Sequence, residues 1–209
     1  MMIQYKQLKE LEKELLKGIS LNKSNKEFNT ITGVYILNTS KKMICAAVTL
    51  NKDSQQILEK KYNTVEEELP YNIDFIPFRE GPVVVDILKG LKIEPELIMI
   101  LGDGAIHKNK LGLASYVGII LNKPSIGVSK RLLNGVLKED NIYFKEEIRG
   151  LAMKSKDFAN PVYVSPGYGL DIEEAINITQ KFCLGNKLPL PLHIAHKKVL
   201  KIKKELEKE

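Results

Sequence analysis

The most constraining feature of the chain is a run of five apolar residues, Leu97-Ile98-Met99-Ile100-Leu101, followed at once by Gly102-Asp103-Gly104. Five apolar residues in succession leave no polar side and are too few for a typical helix. The run fits a strand covered on both faces, and the glycine pair breaks it. In open α/β sheets, ligands bind just outside the carboxyl ends of such strands. Glu80, Asp103, His107 and Lys130 all fall at or just beyond element ends around this run, so they mark a candidate site. Residues 69–130 read as loop, helix, buried strand, loop, helix, strand. Pro82 is expected to open the first of these helices, with Val84, Val85, Leu88 and Leu91 recurring at helical spacing.

The flanks read differently. Residues 1–18 form a helix with Leu8, Leu11, Leu15 and Leu16 in one stripe and Gly18 as its stop. Residues 31–37 and 43–50 are strands joined by the turn-like Asn38-Thr39-Ser40-Lys41. A third strand over 57–65 completes an antiparallel meander, after which strand–helix alternation favours a parallel portion. Residues 142–152 read as a hairpin pair. Val162-Tyr163-Val164 is a short strand that Ser165-Pro166-Gly167 is expected to break. Asp171 caps a helix reaching about Cys183, with Glu173 and Glu174 in its first turn. A last helix begins near Pro191 and runs into 201–209. No repeat or low-complexity linker interrupts the chain, so one domain over 1–209, monomeric by default, is expected.

At 209 residues the chain is long enough for a sizeable core. Its net charge of +6 comes from 32 Lys and Arg against 26 Asp and Glu. That excess allows a polyanionic partner, and a solvated lysine-rich surface accounts for it equally well. Cys45 and Cys183 have no metal-ligand spacing such as CxxC and read as buried reduced thiols. No apolar stretch reaches membrane length and the N-terminus is too polar for a signal peptide, so a cytoplasmic location with no membrane partner is the default.

Several motifs in collinear order resemble the endonuclease V family, nucleases that cut near deaminated adenine (inosine). They are Pro70-Tyr71, Phe78-Arg79-Glu80-Gly81-Pro82, residues 104–112 with His107 inside, and Leu113-Ala114-Ser115. Pro124-Ser125-Ile126-Gly127-Val128-Ser129-Lys130, residues 161–167 and residues 188–196 follow in the same order. The resemblance spans about residues 33–196. It implies a ribonuclease H-like mixed sheet flanked by helices on both faces. It also implies recognition of inosine in DNA or RNA, a role in DNA repair, and magnesium-dependent phosphodiester hydrolysis near the lesion. Such hydrolysis needs clustered carboxylates around the ion.

The family pattern has three acidic positions. Glu80 matches the one in the FREGP motif, although an acid at a helix N-terminus also has a plain dipole role. On the first strand the pattern Gly-Val-Asp becomes Gly33-Val34-Tyr35. At the end of the central strand Leu101 stands where the family has Asp, and Asp103 lies two residues on. Asp103 is therefore either a displaced metal ligand or a turn-former between glycines. The candidate metal ligands are Glu80 and Asp103.

The basic positions match better. His107, Lys130 and His196 fall where the family has its histidines and a lysine near the scissile phosphate. Together with Glu80 they are the candidate catalytic set. His193 lies three residues before His196 on the same helical face but does not match the motif. The resemblance makes Tyr71 part of a wedge that enters the nucleic acid, where an aromatic ring can replace a displaced base. Packing beneath its own loop is the alternative. Gly104, Gly112, Ala114 and Ser115 are small enough to admit a flipped base, or to serve helix–sheet packing. Three readings follow: a magnesium-dependent nuclease, a catalytically degenerate nucleic-acid-binding homologue on the same fold, and a scaffold.

Overall fold

The computed structural model describes residues 2–23, 27–39, 42–66, 72 and 75–208. The chain opens with α1 (Met2–Lys17), then the meander β1 (Thr30–Asn38), β2 (Lys42–Asn51) and β3 (Ile57–Glu66). Next come α2 (Ile76–Lys89), β4 (Leu97–Leu101), α3 (Leu113–Leu121) and β5 (Ser125–Ser129). The second half carries β6 (Val136–Lys138), β7 (Asn141–Phe144), β8 (Glu147–Met153), β9 (Val162–Tyr168), α4 (Ile172–Lys181) and α5 (Leu190–Leu206). Among the described residues nine strands form one sheet in the order β3-β2-β1-β4-β5-β9-β8-β7-β6. Only β1–β4 and β4–β5 pair in parallel. The result is the mixed α/β sheet that the motif order implies.

The central strands are apolar throughout because both faces are covered. Successive side chains point to opposite faces, so Ile31 and Tyr35 of β1 and Leu97 and Met99 of β4 join one core with Phe182, Leu192, Ala195 and Val199. Val34 and Ile36, with Ile98 and Ile100, join the other core with Val84, Leu88, Leu113 and Val117. Helices α4 and α5 therefore cover one face, and α2 and α3 the other. Gly33 sets the depth of α5, since a side chain there would run into Pro191.

Three local expectations are corrected. Helix α2 begins at Ile76 rather than Pro82; Pro77 takes the early position that tolerates a missing N–H, and Pro82 lies inside the helix. Strand β9 runs straight through Ser165-Pro166-Gly167 to Tyr168. It can do so because β8 pairs with it only as far as Val164, leaving the proline half with β5 alone, next to a register shift at Ser125/Ile126. The hairpin pair of β7 and β8 is joined by β6, three exposed residues at the sheet's edge. As expected, Asp171 caps α4. Its carboxylate accepts from Glu174 N at 2.8 Å, and the Glu174 carboxylate accepts from Asp171 N at 3.2 Å. Both cysteines are free thiols, and Cys45 is fully buried. Among the described residues no helix is long and apolar enough to cross a membrane.

Candidate nucleic-acid and catalytic cleft

The site grows out of the parallel centre of the sheet. Val34 of β1 pairs with Ile100 of β4, and Leu101 pairs with Val128 of β5. One step along from Val34, Tyr35 comes level with Leu101, the last residue of β4, while β1 runs on to Asn38. From there β5 continues into Ser129 and Lys130, and β4 into the Gly102-Asp103-Gly104 turn. Backbone bonds pin that turn: Gly102 N donates to Val128 O at 3.0 Å and Ala105 N to Pro166 O at 2.8 Å. Gly127 lets the turn lie against β5, because a side chain there would strike Gly104 N and the Asp103 carbonyl carbon.

A cleft of about 410 Å³ opens at this edge, and Glu80, Leu101, Asp103, His107 and Lys130 all line it. The structure thus gathers the positions that the sequence scattered over residues 80–130. Ile76, Pro77, Leu113 and Leu133 add apolar wall, and Arg131 adds a further cation.

Each carboxylate has a neutral donor. Glu80, 8% exposed, accepts from the Asn38 side-chain amide at 2.5 Å. Its charge reaches the far side of β1, where burial first and Glu80 second push the Tyr35 phenol above its ordinary range. Asp103 accepts from the Ser129 hydroxyl and from the Asn134 side chain; burial outweighs both and raises its carboxyl above the usual range.

The cations form a second group. Lys130 Nζ lies 3.4 Å from His196 Nε2, where an ammonium can donate to an unprotonated ring nitrogen. The same Nζ stands 5.4 Å from the centre of the Tyr35 ring, within cation–π range. Tyr35 and His196 meet edge to face, 4.8 Å between centroids and 86° between planes. Burial first, then the charges of Lys130 and His193, pulls the His196 pKa below its usual value. Burial first, then Lys187, lowers that of Lys130. His107 is buried, its backbone carbonyl accepting from the Arg149 guanidinium at 3.1 Å.

Of the small residues, Gly112 lines the cleft, while others pack elsewhere. Ser115 is wholly buried in α3, and Gly104 packs against the Pro166 carbonyl. Phe78 makes a T-shaped contact with Tyr116, 5.6 Å between centroids, inside the α2–α3 core. Tyr71 lies outside the described residues. Asn38, Ser129, Arg131 and Asn134 were missed by sequence reasoning. Asn38 lay in a turn-like cluster, and nothing in the sequence distinguished it from a turn-former.

A magnesium ion needs several oxygen ligands in near-octahedral array. Among the described residues no three His, Cys, Asp or Glu side chains gather as a metal site. Tyr35 and Leu101 offer no carboxylate, so Glu80 and Asp103 are the two carboxylates that line the cleft. The donor set does not fit the ion that the resemblance implies.

Comparison with known proteins agrees with the motif order. The Endonuclease V family model matches residues 13–197. The Endonuclease V of Dictyoglomus turgidum is 34% identical over 200 residues, covering 92% of this chain and 88% of that one. That of Archaeoglobus fulgidus is 31% identical over 207 residues, covering 96% and 94%. Among solved structures, the Bacillus subtilis endonuclease V superposes with a TM-score of 0.87 at 24% identity, covering 95% of this chain and 92% of that one. The Ciona intestinalis endonuclease V, in complex with a 24mer DNA containing an inosine followed by a ribo-adenosine, gives 0.87 at 21% identity, covering 99% and 100%. At these identities the structural likeness speaks for the fold, while the family model and the sequence relatives speak for descent: the chain belongs to the endonuclease V family.

Proposed function

We propose that the protein recognises inosine-bearing nucleic acid in the cleft beside Glu80 and Lys130, and that magnesium-dependent phosphodiester hydrolysis there is slow or lost. One observation carries the reading. Within β1, where the resemblance implies a metal-binding carboxylate, the Tyr35 ring is packed against His196 and beneath Lys130. In support, Lys130 and Arg131 line the cleft as cations, while Glu80 and Asp103 alone bring carboxylates to its lining. Family membership and a relative solved with inosine-containing DNA support the choice of ligand.

A second reading, an active metal-dependent nuclease using Glu80 and Asp103, is favoured by the 34% identity to an Endonuclease V over 92% of the chain. The two separate cleanly. Labelled strands with and without one inosine are followed by fluorescence anisotropy for binding and by denaturing gel for cleavage, with magnesium present. Preferential binding of the inosine strand with little or no cleavage supports the first reading. Cleavage at the rate of an intact family member establishes the second.

A further inference from the structure

The chain's excess of positive charge is concentrated on one helix. Helix α5 carries five lysines against one glutamate, a net +4, while the whole chain nets +6. By contrast, α1 has four lysines against three glutamates, and α4 one lysine against two. The buried residues Leu192, Ala195, Val199 and Ile202 turn one side of α5 to the sheet. At 3.6 residues per turn, Lys197, Lys201 and Lys204 fall on the opposite side, and all three are exposed. With Leu200 and Lys203 they border one surface hollow. The row starts at the cleft. His196, one residue before Lys197, lies 3.4 Å from the cleft-lining Lys130. Burial first, then Lys197, lowers the His193 pKa, so that lysine is within electrostatic reach of the imidazole. Lys201 meets Glu205 at 3.9 Å, an exposed pair of a kind that contributes little.

We infer that Lys197, Lys201 and Lys204 form a second surface for nucleic acid, a row of cations that takes the phosphates of a strand where it runs on out of the cleft. The inference rests on reading the cleft as a nucleic-acid site and adds a grip outside it. A lysine surface that served only solvation would be spread over the molecule; here the excess stands on a helix that meets the cleft through His196. A polyanion is the complement of such a row. Like charges three and four residues apart on a helix repel one another, and bound phosphates relieve that repulsion while releasing their own counterions. From His196 to Lys204 the helix rises about 12 Å, or roughly three to four stacked nucleotides. Contacts of this kind read no base, so the surface adds affinity without adding preference for inosine.

The test measures the full chain by anisotropy across a salt series, with calcium in place of magnesium to hold back cutting. The probes are a short labelled single strand with a central inosine, and the same strand extended on its 5′ or its 3′ side; the long strands are also made without inosine. The triple variant Lys197→Gln, Lys201→Gln, Lys204→Gln replaces exposed lysines by another good helix former, so the fold is not at risk. The wild type should gain affinity from one extension, the one that passes over α5, and the variant should gain none. On that long strand the variant's plot of log affinity against log salt should flatten by about 2, at about 0.7 per phosphate contact. A fourfold rise in salt then costs the wild type about twentyfold more affinity than the variant. On the short strand the two proteins should agree. Lys6→Gln, Lys9→Gln and Lys13→Gln together remove the same charge from α1, which packs on the other core, and should leave the wild-type slope unchanged. An α1 variant that flattens the slope as much would assign the effect to net charge and overturn the inference. So would an α5 variant with the wild-type slope on every strand, or one weakened as much on the short strand as on the long. Equal affinity for long strands with and without inosine would sink inosine recognition and leave the α5 surface standing. Binding of the wild type to no strand would sink both.

Discussion

We propose that two residues, Tyr35 and Leu101, limit what the cleft can do with a divalent ion. They follow directly on the Val34–Ile100 pair, Tyr35 inside β1 and Leu101 at the end of β4. Their identities were legible in the sequence, and the resemblance implies acids at their positions. What the sequence could not convey was what fills the space: a ring locked against His196 and Lys130, and an Asn38 amide on Glu80. Neither contact has a sequence signature, because each joins residues dozens of positions apart. If the missing carboxylates limit catalysis, the double change Tyr35→Asp and Leu101→Asp should raise magnesium-dependent cleavage of an inosine strand. Errors of about 1 Å in placement cost on the order of 10²-fold in rate, so a rise of that order is expected. Adding Glu80→Gln should abolish the gain. A wild type that already cuts as fast as the double variant, and is unharmed by Asp103→Asn, would show that this accounting of ligands is wrong.

At the scale of elements, legibility tracked how local each signal was. The meander, the buried β4 run and the Asp171 cap were readable because strand alternation, apolar runs and the Asp-x-x-Glu box act within a few residues. The start of α2 was not, since Pro77 and Pro82 both suit a helix opening and the choice depends on packing of Phe78 and Glu80 against distant partners. Nor was β9's passage through Pro166, which depends on β8 stopping short at Val164. The Asp171 cap is the element-level feature open to direct measurement. Asp171→Ala removes the acceptor for Glu174 N and should lower unfolding free energy by about 1 kcal/mol. Urea denaturation should report this as a shifted midpoint with an unchanged slope. Helix α4 packs on β8 and β9, away from the cleft, so nucleic-acid affinity should not move with it. A loss of affinity in this variant would mean that α4 supports the site in a way its packing does not suggest.

For the whole molecule, the +6 charge and the position of the cleft make separate contributions to binding. Phosphate contacts give affinity without sequence information, whereas contacts to a displaced base give preference. We propose Lys130 for the first kind: it follows β5, lines the cleft with Arg131, and lies beside His196. We propose Tyr71 for the second kind, from the Pro70-Tyr71 motif that precedes α2 in the sequence. The two should therefore fail differently. Lys130→Ala should weaken binding to inosine-bearing and undamaged strands alike, and make both less sensitive to salt. Tyr71→Ala should leave the salt dependence intact and reduce the preference for the inosine strand, by about 1–3 kcal/mol if a stacking contact is lost. Anisotropy over a salt series on both strands yields affinity, slope and preference together. Variants that lose all three in equal measure would show that backbone and base are held by one coupled surface, and the division of roles between Lys130 and Tyr71 would have to be abandoned.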